Sequence, residues 1–147
     1  MPDQPSHPAP ADTLSSDSLR VIRHAERPTV ALAGGATYQP IIGDDTGAGV
    51  PVRTGIQVSP VGFGVPVHSH PYPEILTAIE GKGEVLLEGD ATPVPLVPGV
   101  SVIVPANQRH TFRNVGDVPL VTFGIHAHGK RIVDYKDTAK GDAHNRR

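Results

Sequence analysis

The segment HSHPYPE, residues 68–74, carries two histidines one residue apart, two prolines and a glutamate. The VPV before it favours a strand that ends here, and side chains two residues apart on a strand point to the same face. His68 and His70 are therefore expected side by side, about 7 Å apart at the backbone. Prolines cannot continue a central strand, so the chain should turn and bring Glu74 back towards the histidines. The three residues are either polar groups on a surface loop or ligands of one metal ion.

Short apolar runs bounded by glycine or proline surround this segment and predict an all-β fold. The run VPVRTGIQVSP alternates, with its apolar residues on one face and Arg53, Gln57 and Ser59 on the other. EILTAI, GEVLLEG, VSVIVP and PLVTFGIHAH are further strand candidates. No stretch of ten or more residues shows a helical period, and 16 glycines with 16 prolines suit a chain with many turns. Regularly spaced short strands indicate a sandwich or barrel.

Length and composition predict one β domain at residues 19–136. The 147 residues suffice for a single domain with its own core. Residues 1–18 are rich in Pro, Ser, Ala and Asp and lack apolar periodicity, which predicts a disordered tail. The end of the chain, residues 137–147, is predicted to be a flexible tail for the same reason.

Charge and cysteine content exclude several classes of function. The formal net charge is −2 and no basic patch stands out, so nucleic acid is not expected as a partner. The chain has no cysteine, which rules out thiolate metal sites and cysteine nucleophiles. No apolar run approaches the ~18 residues of a membrane span, and no secretory signal is evident. A cytoplasmic protein without a membrane partner is the expectation.

A second segment adds a fourth candidate ligand, His110, where the turn in VPANQRHTF leads into a strand. The segments GFGVPVHSHPYPEILTAIEG and GVSVIVPANQRHTFRN, residues 62–81 and 99–114, resemble the two sequence motifs of the cupin superfamily. The first matches at every defining position, and the second departs only at Asn107, where the family usually has glycine. That turn position tends to need a positive φ, which asparagine tolerates best after glycine. The resemblance covers about residues 21–135.

This resemblance implies a single small antiparallel β-barrel or jelly roll, the double-stranded β-helix, with a metal ion at its centre. Carried over residue by residue, the ligands are His68, His70, Glu74 and His110. Three imidazoles and one carboxylate suit one divalent transition metal, namely Fe, Mn, Zn, Ni or Co, and are a poor set for Mg or Ca. Four protein ligands on an octahedral ion leave two adjacent positions for water, substrate or dioxygen.

Other residues are candidates for a substrate pocket beside the metal. Phe112 follows His110 by two residues and should share its inward face, although it could equally be ordinary core. Tyr38, Arg53 and Gln57 are weaker candidates for contacts with a substrate, because strand phase alone does not say whether they face inwards.

Two residues are candidates for proton transfer. His126 and His128, in the HAH at the end of a strand candidate, are expected on one face, and His126 could supply a general base beside the metal. The alternative is that a strand end at the rim of a barrel is simply solvated. Tyr72, between two prolines, is expected at the rim and is the second catalytic candidate.

Three functions are compatible with these residues, and the fold does not choose among them. The first is an Fe(II)-type dioxygenase acting on a small organic molecule, which we expect most. The second is a non-redox isomerase, dehydratase, cyclase or decarboxylase, which a well-ordered base near the metal would favour. The third is a metabolite-binding protein without turnover. A homodimer is also expected, with the segment VIRHAERPTVAL, residues 21–32, as a possible contact.

Overall fold

The computed structural model describes residues 19–44 and 49–136, so both predicted tails lie outside the described residues. Within those ranges the chain forms eleven β-strands and two single 3-10 turns, His24–Glu26 and Ala33–Gly35. The strands are β1 Val30–Ala31, β2 Thr37–Ile42, β3 Arg53–Ser59, β4 His68–Ser69, β5 Glu74–Glu80, β6 Gly83–Leu87, β7 Val94–Leu96, β8 Ser101–Val104, β9 His110–Asn114, β10 Leu120–His126 and β11 Asp134–Tyr135.

The strands form two antiparallel sheets with the core between them. The six-stranded sheet has the order β1-β2-β3-β10-β5-β8, and the five-stranded sheet has the order β11-β4-β9-β6-β7. The predicted all-β jelly roll with little helix is confirmed. No helix in residues 19–44 and 49–136 is long and apolar enough to cross a membrane; the cytoplasmic location stays a prediction.

Strand alternation places the residues of both sequence motifs on inward faces. In β5, Glu74, Leu76 and Ala78 are buried, with more exposed residues between them. In β9, His110 and Phe112 are buried in the same alternating way. In both strands the first residue is a buried candidate ligand, and the residue two positions later is apolar and buried on the same face.

Strand β3 reverses the usual arrangement of polar and apolar faces. Its polar residues Arg53, Gln57 and Ser59 are buried, whereas Ile56 is half-buried and Val58 is exposed. Strand β2, which was not predicted, contains Pro40 in its interior. Proline is tolerated there because β1 pairs only with the start of β2. No described strand pairs with Pro40 on that side, where its carbonyl oxygen accepts from Arg27 Nε at 3.1 Å.

Two tight turns need unusual backbone angles. Asn107 has φ 64°, as predicted for a residue standing where the family usually has glycine. Its backbone N–H donates to the carbonyl oxygen of His70 at 2.6 Å, which ties the second motif to the first. Gly81 has φ 86°, and a Cβ there would lie 2.5 Å from the carbonyl oxygen of Pro119, so no other residue fits without a backbone shift.

One end of the interior, here called the closed end, is densely packed. Leu96 and Leu120 are fully buried there. Asn114 Nδ2 donates to the carbonyl oxygens of Ser59 at 3.1 Å and Val118 at 2.8 Å, so the buried amide has partners. The closed end is therefore an ordinary core with satisfied polar groups.

The same strands present polar and ionisable side chains at the other end, here called the site end. In the strand register His126 lies opposite Glu74, and His68 lies opposite His110. Strand β10, for example, runs from the buried Leu120 at the closed end to the buried His126 at the site end.

Candidate metal centre

Four buried side chains converge at the site end. One nitrogen from each of His68, His70 and His110 and one oxygen of Glu74 lie within 4.8 Å of one another. The two strands β4 and β9 supply His68 and His110 from one sheet, and β5 supplies Glu74 from the other. His70 stands in the turn between β4 and β5. Residues far apart in the chain therefore meet in one small volume.

Backbone carbonyls determine which nitrogen of each histidine carries the proton. His68 Nδ1 lies 2.7 Å from the carbonyl oxygen of Pro66, and His110 Nδ1 lies 2.8 Å from that of Gln108. His70 Nδ1 makes the same contact with the carbonyl of Ile132 at 2.8 Å. A carbonyl oxygen can only accept, so each Nδ1 must donate. With Nδ1 as the donor, each ring can direct Nε2 at a metal ion, which is the arrangement a metal ligand needs.

Two of the Nε2 atoms lie close to one carboxylate oxygen. Glu74 Oε2 makes a hydrogen bond with His110 Nε2 at 3.1 Å and lies 3.2 Å from His70 Nε2. The His70 contact lacks hydrogen-bond geometry, and this buried nitrogen has no hydrogen-bond partner within the described residues. A buried ring nitrogen without a hydrogen-bond partner costs free energy, and a cation bound beside it and the carboxylate would remove that cost. The donor set therefore fits, and could hold, one divalent transition-metal ion.

Burial and mutual contacts shift the ionisation of the site. Burial, with the neighbouring His110 and His70, lowers the pKa of His68 to about 3. Burial alone would raise the pKa of the Glu74 carboxyl, but close contacts with His110, His126 and His70 outweigh it and hold that pKa well below its usual range. At neutral pH the site thus offers a neutral imidazole at His68 and an ionised carboxylate.

The second oxygen of Glu74 belongs to a different chain of contacts. His126 Nε2 lies 3.1 Å from Glu74 Oε1, and His126 Nδ1 lies 3.2 Å from the hydroxyl of Tyr72. That hydroxyl also accepts from the N–H of Ile132 at 3.0 Å and lies 3.1 Å from the Ile132 carbonyl oxygen. Glu74 therefore directs Oε2 at the candidate ligands and Oε1 at His126.

The structure corrects two details of the predicted proton-transfer residues. Tyr72 is buried, 4% exposed, rather than at the rim, because its ring stacks on His70 and its hydroxyl bonds to His126 and Ile132. Burial raises its pKa. His128 does not share the inward face of His126, since β10 ends at His126 and the following residue and His128 are exposed.

A cavity adjoins the four converging side chains. Of the sequence candidates, Tyr38, Gln57, Phe112 and His126 lie on its wall. The structure does not place Arg53 on that wall, although the residue is buried. Gln57 Nε2 donates to Ser59 Oγ at 3.3 Å, so its amide is already oriented by the neighbouring strand position.

Two further residues on the cavity wall, Arg131 and Tyr135, had no signal in the sequence. They lie in the irregular stretch after β10 and in the two-residue strand β11, where neither periodicity nor a motif marks them. A strand this short is visible only through its pairing with β4.

Comparison with known proteins agrees with this architecture. Residues 55–126 match the family model of the cupin domain. A protein of Streptomyces cyaneus, polyketide synthase CurC, is 38% identical over 64 residues, which cover 43% of this chain and 40% of that protein. A glucose-6-phosphate isomerase of Thermococcus onnurineus is 45% identical over 56 residues, which cover 36% of this chain and 30% of the isomerase. The matched stretches thus span well under half of these relatives.

Solved structures share the fold at low sequence identity. A cupin-like protein of Thermotoga maritima superposes with a TM-score of 0.63 at 21% identity, covering 84% of this chain and 96% of that one. Oxalate decarboxylase from Bacillus subtilis gives a TM-score of 0.69 at 18% identity, covering 83% of this chain and 35% of that one. Family model, fold and the buried histidine–glutamate cluster agree: the chain belongs to the cupin superfamily.

Proposed function

We propose that this chain is a divalent-metal-dependent enzyme that moves protons on a small carbonyl compound, as isomerases, dehydratases, cyclases and decarboxylases do. The observation that carries the proposal is the hydrogen-bonded chain from Tyr72 through His126 to Glu74, in which His126 and Glu74 line the cavity. Because both ring nitrogens of His126 have partners, we now favour the non-redox enzyme over the dioxygenase that we expected from the sequence. The likeness to glucose-6-phosphate isomerases over 36% of the chain supports the same class.

The proposed ligands are Nε2 of His68, His70 and His110 together with Oε2 of Glu74. Their backbone-bonded Nδ1 atoms fix the rings, and the Oε1 contact with His126 fixes the carboxylate. A divalent ion bound there would act as a Lewis acid that polarises a substrate carbonyl. Which of Fe, Mn, Zn, Ni and Co is bound depends on the availability of each metal in the cell and on coordination geometry, rather than on the relative affinities of the ions.

His126 is suited to proton transfer because both of its protonation states find partners. In the neutral ring, the Tyr72 hydroxyl donates to Nδ1, and the Nε2–H donates to Glu74 Oε1. In the protonated ring, Nδ1–H donates to the Tyr72 oxygen while that hydroxyl turns to the carbonyl of Ile132, 3.1 Å away. His126 can therefore gain or lose a proton without leaving a buried donor unpaired.

An Fe(II) dioxygenase remains the second candidate. The donor set of three imidazoles and one carboxylate suits Fe(II), and the adjoining cavity could admit both a substrate and dioxygen. A protein that only binds metabolites has no chemical need for four converging metal ligands, so we rank it third.

Two measurements on the same metal-loaded protein separate these functions. The protein is loaded in turn with Mn²⁺, Zn²⁺ and Fe²⁺ and given pyruvate, dihydroxyacetone, acetylacetone or catechol. We expect exchange of the C–H protons beside a carbonyl into deuterated water, followed by NMR, with no uptake of oxygen. Oxygen consumption with Fe²⁺ and acetylacetone or catechol, and no exchange with any ion, would establish the dioxygenase instead.

The predicted homodimer is also a proposal. The outer face of the six-stranded sheet exposes Val58, Ile79 and Ile103, which are 36%, 49% and 70% exposed, and an apolar patch of this kind favours association. Strand β1, from the segment predicted to make the contact, lies at the edge of this sheet. Sedimentation should give a dimer for the wild type and a monomer for Ile103→Lys; a wild-type monomer would contradict the proposal.

A further inference from the structure

Arg131 brings a permanent positive charge to the wall of the metal cavity. It is partly buried, and its Nη2 donates to the hydroxyl of Tyr135 at 2.8 Å. Tyr135 also lines the cavity, and its ring centroid lies 5.8 Å from that of His68. Arg131 is therefore one aromatic side chain away from a proposed metal ligand.

The backbone around Arg131 is anchored to the site on both sides. The adjacent Ile132 donates its N–H to the Tyr72 hydroxyl at 3.0 Å and accepts from His70 Nδ1 at 2.8 Å. Further along, Tyr135 pairs with His68 in the strand register. An arginine held between two such anchors has a defined position relative to the metal ligands, unlike an arginine on a free loop.

The charges on the cavity wall do not balance once a metal is bound. Among the described residues that line it, Glu74 is the sole Asp or Glu and Arg131 the sole Lys or Arg. The carboxylate offsets only part of the charge of a divalent ion bound there. Asp134, beside Tyr135, is directed to the surface, where it lies 3.6 Å from Arg109. A small anion is therefore the ligand that this cavity favours.

We propose that Arg131 and Tyr135 bind the carboxylate of the substrate, so that the substrate is a small organic acid rather than a neutral carbonyl compound. The proposal rests on the proposed function and narrows its substrate class. A guanidinium offers two parallel N–H donors that match one planar carboxylate. The other oxygen-bearing group of the acid, a ketone or a hydroxyl, then faces the proposed metal ligands.

Calorimetric titration of the full chain loaded with Mn²⁺ tests this assignment without a need for turnover. The probes are pyruvate, malonate and inorganic phosphate, with methyl pyruvate as the uncharged counterpart of pyruvate. We expect pyruvate or malonate to bind about 10-fold or more tightly than methyl pyruvate, because charge-assisted hydrogen bonds contribute about 1.5–3 kcal/mol. Phosphate that binds more tightly than both acids would overturn the carboxylate class.

Variants then assign the preference to Arg131. Arg131→Gln should lose the preference for the acid with its Mn²⁺ content unchanged, and Arg131→Lys should keep part of it. Lys130→Gln is the matched control, since it removes a positive charge from the exposed neighbouring residue. Tyr135→Phe is a second variant, for which we expect a smaller loss of about 3-fold to 10-fold, the value of one neutral hydrogen bond. Unchanged acid binding in Arg131→Gln, or in Tyr135→Phe if the first variant does not fold, would overturn the assignment.

The outcomes also separate this inference from the proposed function. Protein that takes up no divalent ion would overturn both. Protein that binds Mn²⁺ but does not prefer either acid to the neutral ester would overturn only the carboxylate assignment, and the metal-dependent function would stand.

Discussion

The closed end and the site end of the interior are built from the same strands and follow different rules. Strand β10 passes from Leu120, fully buried among apolar neighbours, to His126, buried against a carboxylate. Buried groups at the closed end either have no polar atoms or have ordinary hydrogen bonds, as Asn114 does. At the site end, three imidazoles and a carboxylate lie in contact with one another.

The closed end therefore stabilises the fold, whereas the site end holds the residues proposed to bind a metal and react. Packing at the closed end lowers the free energy of the folded state through the burial of apolar surface. The site end takes a carboxylate and three imidazoles out of water and leaves His70 Nε2 without a hydrogen-bond partner among the described residues, which costs free energy until a cation binds. The ordered closed end lets the chain keep such a cluster without losing its fold. Four variants and conditions sharpen this division.

Removal of one proposed ligand should have the largest effect. His110→Ala should lose nearly all bound metal, with more than the ~100-fold loss of affinity that mutation of supporting residues can cause. The measurement is metal content after purification without added metal, with circular dichroism to verify the fold. His24→Ala, at an exposed histidine in a 3-10 turn, is the control. Full metal occupancy in His110→Ala would show that this ligand is assigned wrongly.

A substitution that creates a cavity at the closed end should lower stability and leave metal binding unchanged. Leu120→Ala should lower the free energy of unfolding by about 2–5 kcal/mol, because the residue is fully buried, and leave metal content unchanged. Urea unfolding measures the first and elemental analysis the second. Val118→Ala, at a residue 50% exposed, should change stability by less than about 0.5 kcal/mol. Loss of metal from folded Leu120→Ala protein would mean that the two ends are not independent.

Replacing His126 should weaken the site without abolishing it. In His126→Gln the metal should still bind, with affinity lower by about 10-fold, since the residue holds the second oxygen of Glu74 rather than the metal itself. Proton exchange should fall more than metal affinity. His128→Gln, at the exposed neighbour, should match the wild type in both. Equal exchange rates in the two variants would remove His126 from the mechanism.

The last prediction concerns the acid stability of the metal-free protein. His68 has a pKa of about 3 in the fold and near 6.5 when unfolded, so below pH 6.5 the unfolded chain binds a proton that the folded chain refuses. Stability should therefore fall as the pH drops from 6.5 towards 3, by up to about 1.4 kcal/mol per unit. The lowered pKa of Glu74 acts with the same sign below its ordinary value of 4.5.

Urea unfolding at pH 7.5, 6.0 and 5.0 measures this slope. His68→Gln should flatten it between pH 6.5 and 5, and His24→Gln should not. An identical slope in wild type and His68→Gln would contradict the assignment of the buried neutral imidazole.

Much of the candidate site was accessible from the sequence because strand geometry is local. Residues two apart on a strand share a face, and this alone places Phe112 with His110 and Leu76 with Glu74. The positive φ of Asn107 was predictable for the same reason, since a tight turn constrains its own residues.

Features that depend on distant partners were not accessible. Tyr72 looked like a rim residue between two prolines, but Ile132, 60 positions later, and His126 bury its hydroxyl. The polar face of β3 lies inwards, with Gln57 on the cavity wall and its amide bonded to Ser59, and the alternating pattern did not show which face is buried. Arg131 reached the site through a two-residue strand with no periodicity of its own.

The sequence by itself determined the strand-rich architecture and the turns, because these follow from residues close together in the chain, and the resemblance of two segments to the cupin motifs identified the candidate metal ligands. Only the tertiary structure decided which nitrogen of each histidine faces the centre, which oxygen of Glu74 meets His126, and that Arg131 stands on the cavity wall. Those outcomes depend on carbonyls and side chains brought from remote strands, and hydrogen bonds form between neighbours in space rather than neighbours in sequence.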